Sequence, residues 1–252
     1  MDTTYLAPPV FFVIAFVFSM LGMGGSQLYI PILFWLGMGF KAEAIPLGML
    51  LNVVNSSSAA ATYGRKGMID WQIAIPFGLA MVVLAPAGAW VNVSLPTKPV
   101  IVIFALFTAT AALLMLSGWR PAGAELSPRG RTVLGITAGG VLGFFAGLIG
   151  RGGGSFVVPL LYIAGLEARA AAATSALVVT CSGTSSFLSH VATAAEPEWT
   201  IWLLCAAAVF AGGQVGSRFM AERLRSGAVR SIFGWVLLAV ATLLIVKDVA
   251  LG

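Results

Sequence analysis

Two glycine clusters interrupt apolar stretches of this chain: Gly22-Met23-Gly24-Gly25-Ser26-Gln27 and Gly150-Arg151-Gly152-Gly153-Gly154-Ser155. Glycine runs break a helix and expose backbone N–H and C=O groups. In lipid that is tolerated only where the backbone is buried in protein or lines a wet cavity. A helix that starts after such a break points its free N–H groups and positive dipole end at the gap, which favours an anion. Gly24, Gly25, Ser26 and Gln27, with Gly152, Gly153, Gly154 and Ser155, are therefore the candidate substrate-binding residues. Arg151 adds a fixed charge to the second cluster, where the first has Met23. At membrane depth an arginine is functional by default, and its planar fork suits the oxygens of a sulfonate or carboxylate. The competing readings are that the glycines only let helices pack closely and that Arg151 sits in a surface loop.

A second polar constellation lies within a later apolar run of each half. Asn52, Asn55, Ser56, Ser57, Ser58 and Thr62 have counterparts in Thr180, Ser182, Thr184, Ser185, Ser186, Ser189 and His190. Small hydroxyls can join helices together, but runs this dense suit the wall of an aqueous path. Asn52, Asn55, Ser56, Thr180, Thr184 and Ser185 are the candidate pathway-lining residues. His190 is the single histidine. It is a candidate proton relay, although its place near a helix end favours an interfacial role. Cys181 and Cys205 lie in apolar runs with no CxxC spacing, so they read as packing residues, and neither a metal nor any other cofactor is expected.

These residues must be positioned by a chain whose surroundings are lipid. It has 252 residues, 59% of them hydrophobic and only 9% charged, with mean hydropathy +0.99; a soluble domain carries roughly a quarter charged residues. The net charge of +5 resides in short loops and is no nucleic-acid signal. No Lys or Arg precedes the first apolar run, so no secretory signal is read there.

The chain also repeats itself. Gly22, Gly24, Gly25, Pro31 and Gly37 recur as Gly150, Gly152, Gly153, Pro159 and Gly165, a step of 128 residues that also carries Trp71 onto Trp199 and Gly88 onto Gly216. Five apolar elements fill each half. The first set covers about 8–23, 28–39, 44–63, 71–93 and 100–118; the second covers about 132–149, 156–165, 170–191, 199–220 and 228–246. The last three of each set approach the ~20 residues that span a bilayer. The second is too short and pairs with the first as a helix folded at its glycines, with Pro31 and Pro159 capping or kinking the return helix. Residues 119–131, with Pro121, Pro128 and three arginines, form the connector. The domain organisation is then a first transmembrane repeat over 1–118, a cytoplasmic linker over 119–131 and a second repeat over 132–252.

Charge assigns orientation. Arg65-Lys66 lies between elements three and four of the first half, whereas the equivalent second-half loop holds Glu196 and Glu198. The next loop reverses the bias: Lys98 alone in the first half, against Arg218, Arg223, Arg225 and Arg230. By the positive-inside rule the halves have opposite orientation, and both termini lie outside. The fold class expected is an all-α polytopic membrane protein of two inverted-topology repeats, each a glycine-broken helix pair plus three spanning helices. Trp71 and Trp199, which open the fourth elements, read as interfacial anchors.

The Gly-x-Gly-Gly-(Gly/Ser)-x-x-x-x-Pro stretch at 22–31 and its copy at 150–159 resemble the TauE/SafE family, the bacterial sulfite and organosulfonate exporters also called the toluenesulfonate uptake permease family. The resemblance covers nearly the whole chain. It implies a multi-pass carrier of the bacterial cytoplasmic (inner) membrane for small sulfur-containing or organic anions, exporting by alternating access. Ser26 stands where a third glycine is common in the family, and Arg151 is inserted into the second motif. The partners expected are a small anionic substrate and the bilayer, with homo-oligomerisation left open and nucleic acid excluded. No Gly-x-x-x-x-Gly-Lys-(Ser/Thr) loop is present to use ATP. The rivals are a channel-like pore of the same fold and, more remotely, an intramembrane enzyme built on Cys181, Ser185 and His190.

Overall fold

The computed structural model describes residues 6–92, 97–119, 127–149, 154–191 and 196–244. Every regular element among them is helical: α1 (Ala7–Leu21), α2 (Ser26–Trp35), a π-helical turn (Phe40–Ala44), α3 (Ile45–Arg65), α4 (Trp71–Asn92), α5 (Thr97–Ser117), α6 (Pro128–Ile149), α7 (Gly154–Ile163), α8 (Ala168–Val191), α9 (Trp199–Arg223) and α10 (Ser226–Leu244). The ten α-helices fall on the ten apolar elements. Five of the six expected spans, in α3, α4, α8, α9 and α10, are long and apolar enough to cross a membrane, and α5 matches them with 21 residues. At 10 residues each, α2 and α7 reach only ~15 Å, half a hydrocarbon core. Pro31 and Pro159 sit inside these helices rather than at their caps.

The helices pack reciprocally under the 128-residue step. That step exchanges α1 with α6, α4 with α9 and α3 with α8. Accordingly, α4 lies along α6 as α1 lies along α9, α3 touches α9 as α8 touches α4, and α3 packs directly on α8 and α5 on α10. Lipid tails are as apolar as leucine, so helices associate in a membrane by close backbone approach. Gly135, Gly139 and Gly143, one helical turn apart, form such a seam on α6. A Cβ on Gly139 would stand 2.6 Å from the Phe77 C=O, and one on Gly143 would stand 2.7 Å from the Met81 Cα. In the other pair the seam is on α9, where Gly212 and Gly216 meet the carbonyls of Phe12 and Phe16.

Polar contacts gather the loops at two ends. At one, Lys66 pairs with Glu222 at 3.1 Å and Arg131 with Asp70 at 2.5 Å. There Arg169 also donates to the Ala221 C=O at 2.6 Å, Ser226 to Glu167 at 3.1 Å and Tyr162 to the Gly118 C=O at 3.3 Å. Asp70 is the hub of this end. Its carboxylate accepts the Ile73 N–H at the start of α4, and its own N–H donates to Thr174 Oγ1. At the other end, a cleft of about 160 Å³ is lined by Leu36–Met38, Ala42, Glu43, Glu196–Glu198 and Trp202. Both α3 and α9 run from the cleft to the basic end, while α4 and α8 begin at the basic end. Trp71 and Trp199 are exposed where α4 and α9 begin.

Candidate functional site

The first glycine break is built by left-handed backbone. Gly22, Gly24 and Gly25 have φ of 66°, 80° and 110°, a region where a side chain is strained. The reversal lets α1 stop and α2 start back within four residues. Gly22 also admits α8: a Cβ there would stand 2.0 Å from the Ala172 C=O. The orphan carbonyls of α1 and the break are satisfied by other helices. Ser175 donates to the Gly22 C=O at 2.8 Å, Tyr63 to the Ser19 C=O at 2.8 Å, and Asn55 to the Gly24 C=O at 2.7 Å. At the N-terminus of α2, the Ser26 N–H donates to Asn52 Oδ1 at 3.2 Å.

The start of α7 meets the first break. Gly154 opens α7, and a Cβ on it would stand 2.5 Å from the Met23 C=O. Gln27 Nε2 donates to Ser155 Oγ across the repeats, and these two residues occupy equivalent positions, 128 apart. The N-terminal turns of α2 and α7 are thus in contact, with Ser26, Gln27, Gly154 and Ser155 all buried. Pro31 and Pro159 lack the N–H that would bond the C=O four residues back, and those carbonyls belong to Gln27 and Ser155. Of the candidate binding residues, Arg151, Gly152 and Gly153 lie outside the described residues.

The polar run of α3 divides into three kinds of service. Asn52 and Asn55 hold the glycine break. Ser58 and Thr62 join α3 to α9: Gln214 donates to Ser58 Oγ at 2.8 Å and Ser217 to Thr62 Oγ1 at 3.1 Å. Ser56 is buried and bonds the Asn52 C=O of its own helix. On α8, Thr180 and Ser185 are half-buried and Thr184 is exposed. Thr180 donates to the Ala176 C=O and Thr184 to the Thr180 C=O, both at 2.8 Å. His190, one residue from the end of α8, places Nδ1 at 2.8 Å from the Ser186 C=O. The candidate polar residues of α3 are therefore more deeply buried than those of α8.

Several buried polar atoms near the breaks have no partner among the described residues: Gln27 Oε1, Tyr29 OH, Asn52 Nδ2 and Asn55 Oδ1. Tyr29 is wholly buried, its ring against Gly25 and edge-on to Phe11 at 5.0 Å. Nothing in its apolar run distinguishes it from a core residue. Gln214 and Ser217 had no sequence signal beyond polarity inside an apolar helix.

This geometry accompanies a match over most of the chain, residues 8–244, to the model of a family described as Sulfite exporter TauE/SafE. The chain belongs to the TauE/SafE family. Similar proteins include a probable membrane transporter protein, y4hK, of Sinorhizobium fredii, 28% identical over 94% of this chain and 97% of that one. A probable membrane transporter protein of Xylella fastidiosa is 28% identical, covering 90% and 89%. A further one, YunE of Bacillus subtilis, is 22% identical over 92% and 93%. No solved structure matches the chain. Membership of TauE/SafE and the apolar helices make this a multi-pass membrane transporter.

Proposed function

We propose that this protein is a secondary carrier of small sulfur-containing or organic anions, working by alternating access and exporting across the bacterial cytoplasmic membrane. The observation that carries the reading is the contact between the first turns of α2 and α7 through Gln27 and Ser155. It brings two short helices together by their N-terminal turns, the ends that favour negative charge. Gly24, Gly25, Ser26, Gln27, Gly154 and Ser155 would form the site. Arg151, Gly152 and Gly153 would complete it from the second cluster, with Arg151 supplying the counter-charge. Asn52 and Asn55 would wall its inner side.

The two repeats are read as inverted. Support comes from helix direction: α3 and α9 run from the acidic cleft to the basic end, whereas their equivalents α8 and α4 begin at the basic end. The basic end, with Arg65, Lys66, Arg129, Arg131, Arg169, Arg223, Arg225 and Arg230, is then cytoplasmic by the positive-inside rule, and both termini lie outside. Alternating access would rock one repeat against the other around the shared site, parting the Lys66–Glu222 and Arg131–Asp70 contacts when the inner side opens.

The test is a thermal-stability screen of the purified protein against sulfite, thiosulfate, sulfoacetate, taurine and simple carboxylates. A specific ligand raises apparent stability by mass action, and the expected result is a saturable rise with at least one anion. Counterflow in proteoliposomes then separates a carrier, which shows it, from a pore, which does not. A flat screen across all these anions would refute the reading.

A further inference from the structure

Two amide atoms beside the first glycine break are buried, have no partner among the described residues and are fixed in identity. Asn52 Oδ1 accepts the Ser26 N–H, and Asn55 Nδ2 donates to the Gly24 C=O. Backbone partners cannot exchange donor for acceptor, so both amide orientations are determined. What remains is one donor, Asn52 Nδ2, and one acceptor, Asn55 Oδ1, neither with a partner among the described residues; both side chains are at 0% exposure. Gln27 does not constrain the chemistry in this way, because the Ser155 hydroxyl can serve as donor or acceptor.

Leaving such atoms unpaired is costly, and the same helix shows that it need not happen, since Ser58 and Thr62 are spent on α9. Glycines of α8 and α9 pack against the free atoms. A Cβ on Gly183 of α8 would stand 2.7 Å from Asn52 Nδ2, and one on Gly213 of α9 would stand 2.6 Å from Asn55 Oδ1. Gly183 is the repeat equivalent of Asn55 itself. Glycines bring no competing side chain, and on the rocking-repeat reading both amide atoms become reachable when α8 and α9 move away from α3. Three residues apart on one helix, Asn52 and Asn55 share a face, with Cβ atoms about 5–6 Å apart.

We infer that this pair binds a complementary couple on the substrate: an anion that carries an O–H or N–H donor beside an acceptor oxygen. Hydroxy- and amino-substituted sulfonates or carboxylates, and singly protonated oxyanions, have this character. The inference rests on the anion-carrier reading and narrows its substrate class. An alkyl sulfonate can satisfy Asn52 Nδ2, but it has nothing to offer Asn55 Oδ1.

The experiment measures binding of matched anions to the purified full-length protein. The pairs are 2-hydroxyethanesulfonate against propane-1-sulfonate and glycolate against propionate, each differing by a hydroxyl for a methyl. The hydroxyl member is expected to bind at least about tenfold tighter, because a site built to hydrogen-bond a hydroxyl rejects the analogue that lacks it. An apolar pocket gives the opposite sign. In Asn55→Leu the preference should vanish; a preference that survives there overturns the inference. Equal or methyl-favouring binding in the unaltered protein also overturns it while leaving anion carriage standing, and that comparison decides alone if the variant does not fold. Failure of all four to bind overturns it too, and the parallel response to sulfite and thiosulfate tells whether anion carriage falls with it.

Discussion

Alanine at Gly24 should be far more damaging than alanine at Gly37, although both glycines are left-handed. Gly24 has φ 80° and Gly37 has φ 98°, so each substitution forces a side chain into disfavoured backbone at about 1–2 kcal/mol. The surroundings differ. Nothing lies within 4 Å of a Cβ at Gly37, whereas at Gly24 it would stand 2.2 Å from Asn52 Oδ1 and 3.0 Å from Val179 Cγ1. Asn52 must swing away, and the Ser26 N–H then loses its acceptor in a buried setting, a further ~1–3 kcal/mol. Gly24→Ala is thus expected to cost about 2–5 kcal/mol in all, summing the two terms. Equilibrium unfolding in mixed micelles without ligand measures both variants. Adding Asn52→Ala supplies the decisive arm, because removing the amide makes room for the new methyl. The double variant should then be less destabilised than the sum of the singles, with a coupling of about 1–3 kcal/mol. Strict additivity, or a Gly24→Ala cost no larger than that of Gly37→Ala, would refute the packing of Asn52 against the break. Transport should fall further than stability, because Asn52 also walls the proposed site.

Three further outcomes follow from other parts of the molecule. In a background lacking Cys181 and Cys205, single cysteines at Gly67 and Pro197 should be labelled from opposite sides of the membrane; labelling of both from one side would sink the inverted repeats. Asp70→Asn retains an acceptor for the Ile73 N–H but loses the charge facing Arg131, whereas Asp70→Ala loses both, so melting should rank Ala below Asn by about 1 kcal/mol, and equal losses would contradict the capping role. Arg151→Met, which copies Met23 of the first repeat, should lose most anion affinity while keeping ligand-free stability, and Arg151→Lys should fall between because it keeps charge without the planar fork; a Met variant that binds normally but folds poorly marks a structural arginine.

The helices were legible because each carries its own signal. Length and hydropathy set α3, α4, α8, α9 and α10, and glycine runs set the break between α1 and α2. The π-helical turn Phe40–Ala44 was not legible, since Phe-Lys-Ala-Glu-Ala has loop-like polarity at the mouth of the acidic cleft. Nor was the exchange of partners by which α4 lies on α6 and α1 on α9. Glycine seams such as Gly135-Gly139-Gly143 announce a close contact but not the helix that fills it. The polar run of α3 looks uniform in sequence, yet its hydroxyl and amide atoms divide between gluing α9, holding the glycine break and having no partner among the described residues. That division depends on which turn of a neighbouring helix lies opposite, a tertiary fact that residue type does not encode.

In the proposed site, duplication supplies the frame and divergence between the copies supplies the chemistry. Identical halves meeting on a two-fold axis would present equal groups from both sides and favour a ligand with the same symmetry. Here the equivalent positions differ: Gln27 faces Ser155, Asn52 corresponds to Thr180, Asn55 to Gly183 and Met23 to Arg151. Thr180 spends its hydroxyl on its own helix, so the amides of the first repeat have no polar rivals at the matching places of the second. On the carrier reading, one half brings amide donors and acceptors, and the other would bring space and the guanidinium of Arg151. A substrate with a charged head and a hydrogen-bonding tail then satisfies both halves in a single orientation. A fully deprotonated oxyanion with no donor of its own can satisfy only one. The asymmetry therefore predicts selection for two-ended anions, and it does so from groups that the other repeat lacks.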